Sequence, residues 1–301
     1  MTSPFRNFAQ QMYLSIAPIG IIGGFLVHGF RKNEKWSEIY TWRSAEKVPD
    51  NVIDRFDAEF TDLIMKNKKK FKNAKFSVSC IDNLEARTYG SFLIVPGAEF
   101  QVPVISTIDE VKTLKSKYPN LLDLGTVDTN SIPDDKLEKI LLNDAAKHFF
   151  YRREITQAES LSHMVVPMAI GAVAIFLGYP VFKVFALGMG PWVALVVTGT
   201  VAVYSAFHLL KTEAKQRTLS MDRRIIEADK SAIAGAKAYL KARIAFCKLA
   251  YEFGDNQTKK GFDEQGNCRS QQASYVERLK EVVDFEEKEE QKVQAVNFRT
   301  L

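Results

Sequence analysis

Met164–Leu210 reads MVVPMAIGAVAIFLGYPVFKVFALGMGPWVALVVTGTVAVYSAFHLL, a run of 47 residues whose only charge at neutral pH is Lys183. At about 1.5 Å per residue a straight helix of this length would reach roughly 70 Å, more than twice the hydrocarbon core of a bilayer. Pro180, Gly188, Gly190 and Pro191 cluster around the lysine. The stretch therefore reads as a transmembrane hairpin, with one arm over about 162–182, a loop at 183–190 and a second arm over 191–210.

Working outward, a further span is expected at 12–30, behind a short N-terminal segment 1–11, because nothing is charged between Arg6 and Arg31. The apolar run is full length and ends at His28, Gly29, Phe30 and Arg31, which favours an uncleaved anchor over a secretory signal. Lys and Arg near span ends set orientation. Arg31, Lys32 and Lys35 follow the first span, Arg152 and Arg153 precede the second, and Lys211, Lys215 and Arg217 follow the third. The middle and C-terminal regions are thus expected on the positive side, with the N-terminus and hairpin tip opposite.

The net charge of +5 is small for 301 residues and comes largely from these flanks. It speaks for topology and not for nucleic-acid binding. Cys80, Cys247 and Cys268 are far apart, with no C-x-x-C and only four histidines, so no disulfide framework or zinc site is readable.

The segment 31–161 is long enough for a soluble domain. Val52, Ile53, Phe56, Phe60, Leu63 and Ile64 mark a helix over 50–71, whose lysine-rich end at 66–70 reads as a solvated terminus able to touch anionic head groups. Residues 76–81, 91–95 and 99–105 read as short strands. A short helix is expected over 107–117, opened by Thr107, and a longer one from the cap Ser131 to about Leu161. The C-terminal region 211–301 reads as helical to Tyr251, then a loop, then a charged helix to about Val293 that docks lightly through Val276, Leu279, Val283 and Phe285. The fold class is therefore an α+β membrane protein: three transmembrane helices, and a soluble domain of helices and a small β-sheet completed by the C-terminal helices.

The order of parts resembles the membrane-embedded zinc peptidases, in which an H-E-x-x-H helix precedes a membrane hairpin and an acid-bearing helix follows it. In those enzymes two histidines and the later Glu hold zinc, and the Glu between the histidines activates water. Here the helix carries Arg153-Glu154-Ile155-Thr156-Gln157, and Thr218 stands four before Asp222. Only Glu154 and Asp222 keep the pattern. Guanidinium, amide and hydroxyl are poor substitutes for imidazole and carboxylate ligands. If the scaffold is of that kind it is a degenerate one, so no catalytic, cofactor-binding or metal-binding residue is assigned and no cofactor is expected. His28, His163 and His208 lie at span ends, and His148 reads as structural.

A closer resemblance covers most of the chain. The Gly90-Ser91-Phe92-Leu93-Ile94-Val95-Pro96-Gly97 turn, Arg153-Glu154 before the hairpin, Asp222-Arg223-Arg224, Gly235, Tyr239 and Gly266-Asn267 resemble the transmembrane protein 177 family. Thr218 departs from it, since family members often have Glu there. The resemblance implies a multi-pass protein of the mitochondrial inner membrane with its soluble domain and C-terminus in the matrix. It also implies a non-catalytic role in cytochrome c oxidase assembly, with newly made subunit II and its membrane chaperone as partners. A structural subunit of a large inner-membrane complex and a peptidase-like membrane enzyme are the alternatives. Gly20 and Gly24 form a G-x-x-x-G face on the first span, a helix–helix contact surface with no sequence-adjacent partner. Gly171, Ala174 and Gly178, and the stripe Gly190, Ala194, Thr198, Ala202 and Ala206, are expected to pack the hairpin arms together.

Overall fold

The computed structural model describes residues 4–30, 47–66, 68–71, 73–81, 84–95, 97–119, 128–269 and 272–299. The chain forms two units, Met1–Ser37 with Ser160–Lys215, and Glu38–Glu159 with Gln216–Leu301.

The first unit is helical. Helix α1 spans Pro4–Phe30. The hairpin arms are α5 (Ser162–Gly188) and the first part of α6 (Pro191–Ala228). Between them stand only Met189 and Gly190, so the arm predicted to end at 182 runs on to Gly188 and the loop expected at 183–190 shrinks to a tight turn. Gly190 takes φ +85°, a left-handed conformation that glycine enters without a Cβ clash, and Pro191 opens the next helix with its φ already set. Among the described residues, α5 and α6 are the two helices long and apolar enough to cross a membrane.

The small-residue stripes expected to pack the arms together do so only in part: Gly171 and Gly190 have nothing within 4 Å of an added Cβ. Ala194, Thr198 and Ala202 are buried, while Phe176, Leu177, Val184, Val196, Val203 and Phe207 point outward and exposed. The Thr198 hydroxyl donates to the Ala194 carbonyl at 2.6 Å, which satisfies it within its own helix. At Gly178 an added Cβ would strike the Tyr13 hydroxyl and lie 3.8 Å from the Ala202 Cβ, so α1 and both arms meet at this point. Tyr13 stacks on Phe182 at 5.1 Å and Phe8 lies 6.1 Å from Trp192, which sets the start of α1 beside the hairpin tip. Gly20 is exposed with nothing within 4 Å of an added Cβ, and the surroundings of Gly24 lie outside the described residues.

The second unit is built on a three-stranded sheet, β1 (Phe76–Ile81), β2 (Arg87–Gly90) and β3 (Ala98–Pro103). The order is β1-β3-β2, with β1 parallel and β2 antiparallel to the central β3. Phe100 on β3 stacks on Phe56 of α2 (Asp50–Lys66) at 4.9 Å, and Phe56 meets Tyr151 of α4 (Asp144–Ala158) at 4.7 Å. The predicted strand at 91–95 is not one. The strand beside β3 comes earlier, at 87–90, and Ser91–Val95 is a turn tied by the Phe92 N–H and the Ser91 hydroxyl to the Ala158 carbonyl.

Local chemistry explains the other departures. Helix α3 (Val111–Lys117) starts after Glu110 as its cap position, because Val104–Thr107 closes as a 3₁₀ turn in which the Thr107 hydroxyl donates to the Val104 carbonyl and is not free to cap the next helix. The helix expected from Ser131 to Leu161 is two: Asp134–Glu138, then α4, opened by Asn143, whose side chain accepts from the Ala146 N–H at 2.9 Å. Asn143→Ala leaves that N–H without its cap and is expected to lower stability by about 1 kcal/mol, read as a fall in the unfolding midpoint.

After α6, Asp229–Ser231 breaks the chain before α7 (Ala232–Phe253). Asp229 accepts from the Ser231 hydroxyl at 2.6 Å, and also from the Ser231 N–H and Arg152. These bonds, the hydroxyl's foremost, hold its pKa below the usual aspartate range. A depressed folded pKa adds stability that is present above the unfolded value and is lost as pH falls through the folded one. Asp229→Asn is therefore expected to lower stability at neutral pH and to change it little in acid, which flattens the acid limb of a stability-versus-pH curve.

The last helix, α8 (Tyr275–Arg299), packs more firmly than its predicted stripe implies. Tyr275, Arg278 and Val282 are buried, whereas Val276 is exposed. Reading an arginine as surface hides a stripe that runs through it.

Candidate functional site

Arg153 and Glu154 are neighbours on α4, and both side chains are buried. Adjacent helical positions point about 100° apart, so this happens only on a helix covered nearly all round. Such is α4, with Phe149, Phe150, Tyr151, Ile155 and Ala158 also buried. On one side Glu154 meets the sheet, where the Thr88 hydroxyl of β2 donates to its Oε2 at 2.6 Å. Beside it, Arg153 Nη1 donates to Glu154 Oε1 at 2.7 Å, and Arg153 Nε donates to Asp222 Oδ1 of α6 at 3.0 Å.

The sequence pattern omits the fourth member. Arg278 of α8, 1% exposed, donates from Nε to Asp222 Oδ2 at 2.6 Å and from Nη2 to Oδ1 at 3.1 Å. This is the two-point grip a planar guanidinium offers a carboxylate. Two cations and two anions are thus interleaved in the order Glu154, Arg153, Asp222, Arg278. Burial works against the charge on Arg153, but Asp222 and then Glu154 outweigh it and hold the pKa above the ordinary arginine value. At Arg278 burial likewise opposes the charge and Asp222 prevails.

Aromatic rings complete the enclosure. The Arg278 guanidinium lies 5.8 Å from the ring centre of Tyr239 on α7 and 5.6 Å from that of Tyr275. Arg243, one turn beyond Tyr239, lies 5.1 Å from the same Tyr239 ring and donates to the Ser106 hydroxyl at 2.7 Å. The Tyr275 hydroxyl donates to Glu85. Burial, followed by the nearby Glu85 charge, pushes the Tyr275 pKa well above its ordinary value, so it stays a neutral donor.

Of the residues singled out by sequence, Arg153, Glu154 and Asp222 come together. Thr218 is buried and donates to the Gln272 side chain at 3.1 Å, and Gln157 is half-buried on α4. His148 pairs with Glu59 of α2, and His208 packs edge-on to Tyr204 at 4.5 Å. Cys80 and Cys247 are buried and Cys268 half-buried, all as free thiols. Among the described residues no group of three or more His, Cys, Asp or Glu is placed to hold a metal ion. Sequence reading misses Arg278, Arg243 and Thr88. The usable signal is the spacing Tyr275, Arg278, Val282, which follows one helix face once an arginine is allowed in a core.

Chemically, each carboxylate of this site is already engaged. Asp222 meets two guanidiniums and Glu154 meets a guanidinium and a hydroxyl. A general base or metal ligand needs a lone pair aimed at a reactant, and here the named oxygens are aimed at fixed donors. The arrangement is suited to cross-linking α4, α6 and α8. No family model matches this chain, and neither does any curated protein or solved structure.

Proposed function

We propose that this is a multi-pass protein of the mitochondrial inner membrane that assists assembly of cytochrome c oxidase without catalysis, acting on newly made subunit II together with its membrane chaperone. The localisation and partners rest on the resemblance to the transmembrane protein 177 family. The observation that supports the non-catalytic part is the closed Glu154, Arg153, Asp222, Arg278 network, in which arginines engage the two acids that keep the peptidase-like sequence pattern. In this reading α1 is a third span, and the soluble unit and C-terminus face the matrix.

The outward apolar faces of α5 and α6 give the chain a lipid-facing surface, and the open Gly20 position gives α1 a face for another helix. Replacing Gly20 and Gly24 together with Leu is expected to reduce recovery of partners from solubilised membranes while insertion is retained. Unchanged recovery removes that face from the account.

The test of the function is affinity capture of the full chain with quantitative mass spectrometry, with mitochondrial translation running or blocked. An assembly factor is recovered substoichiometrically with immature subunit II, and this signal collapses when translation stops. Fixed stoichiometry with a mature complex, unaffected by translation, contradicts the proposal and supports a structural subunit.

A further inference from the structure

The turn that replaces the predicted strand at 91–95 presents apolar side chains to solvent. Val95 is 98% exposed, and Leu93 and Met65 are exposed with it, although the same segment buries Phe92. Phe92 holds the turn in place by packing on Phe60 at 5.0 Å and Phe71 at 5.9 Å, against the end of α2 and the segment after it. Lys66, Lys69 and Lys75, which flank Phe71 in sequence, are exposed. The Lys75 carbonyl accepts from the Ala98 N–H at 2.9 Å, directly behind the turn. Nearby acids are engaged within the protein, Asp62 with Lys66 at 2.6 Å and Glu159 with Arg224 at 3.1 Å.

Apolar side chains at a loop tip beside lysines match the chemistry of a bilayer interface, where short apolar groups enter the acyl boundary and lysines meet anionic head groups. The attachment of this turn selects the bilayer over other apolar surfaces. Its Ser91 hydroxyl and Phe92 N–H both bond the Ala158 carbonyl, at 2.7 Å and 3.0 Å. The spanning helix α5 begins four residues later, at Ser162, so the covalent reach from that carbonyl to the membrane helix is at most about 14 Å.

We propose that the Leu93–Val95 turn, with Lys66, Lys69 and Lys75, docks into the anionic head-group region of the same bilayer that holds the hairpin. The inference rests on reading α5 and α6 as membrane spans. Its partner is a lipid surface, and the docking adds a second attachment that fixes the soluble unit against the membrane.

The test uses the full chain in nanodiscs of phosphatidylcholine alone or mixed with phosphatidylglycerol, in a Cys268→Ser background that leaves Cys80 and Cys247, both buried. An environment-sensitive fluorophore is placed at Val95→Cys, at Val196→Cys within a span, or at exposed Gln257→Cys, and lipids carry a spin-label quencher. The expected result is a blue-shifted Val95 probe quenched by lipid in the anionic discs, a Val196 probe quenched in both, and an unquenched Gln257 probe. Lys66→Gln, Lys69→Gln and Lys75→Gln together are expected to abolish most of the Val95 quenching. A Val95 probe quenched no more than Gln257, with Val196 quenched, overturns the inference and leaves the hairpin standing. A Val95 probe that is blue-shifted but not quenched by lipid also overturns it, in favour of a protein surface on the turn. An unquenched Val196 probe overturns the membrane hairpin and the docking with it.

Discussion

Asp222→Ala is expected to destabilise the second unit by about 3–5 kcal/mol, because it leaves Arg153 and Arg278 buried without the carboxylate between them. A domain of this kind is stable by only about 5–15 kcal/mol, so a large share of the margin is removed. The damage should be read as faster hydrogen exchange across β3, α4 and α7. The same physics predicts a rescue. Replacing the whole network with uncharged groups of similar size, Arg153→Met, Glu154→Gln, Asp222→Leu and Arg278→Met, removes two cations and two anions together and is expected to recover most of the loss. If Asp222→Ala exchanged like the unaltered protein, the carboxylate would not hold the network.

The second large effect is Gly235→Ala. An added Cβ at Gly235 would collide with the Ala145 carbonyl oxygen and lie 3.2 Å from the Phe149 Cβ. Both groups belong to α4, one of them backbone, so neither swings aside as a flexible side chain would. Their separation is fixed by aromatic packing, Tyr239 of α7 lying 5.6 Å from Phe150 and 5.8 Å from Phe149. Pushing α7 away from α4 therefore displaces the Tyr239 ring, against which the Arg243 and Arg278 guanidiniums lie, and the expected cost is about 3 kcal/mol. Gly20→Ala and Gly199→Ala, where nothing lies within 4 Å, serve as controls and are expected to leave stability unchanged.

These two effects show which parts of the molecule are legible in the sequence. The Pro and Gly cluster and the long run with a single charge make the hairpin legible because lipid imposes a severe rule, that a spanning segment satisfy its own backbone within an apolar helix. The parallel pairing of β1 with β3 is invisible locally, since it depends on partners 22 residues apart in register, such as Phe76 and Ala98. Ser91–Val95 misleads because Leu, Ile and Val in a short run fit an extended strand equally well as an exposed turn. The distinction lies in the Ala158 carbonyl, more than 60 residues away.

The site divides in the same way. Glu154 and Asp222 stand out because they are the two positions that keep the zinc-peptidase pattern, and the structure brings them onto one guanidinium. Arg278 is hidden in a helix of mixed charge, where one more arginine carries no local sign of burial. Its role comes from Asp222, 56 positions earlier. A periodicity count that treats every arginine as solvent-facing passes over it.

The claim that this buried network is structural and not catalytic is tested most directly by complementation. Cells lacking the protein would receive either the unaltered chain or the four-residue uncharged variant, with folding checked by hydrogen exchange, and newly labelled subunit II would be followed through assembly. The account predicts that the folded variant supports assembly as well as the unaltered chain does. A variant that folds and inserts yet fails to support assembly would contradict it, because the charged groups themselves would then be required for function.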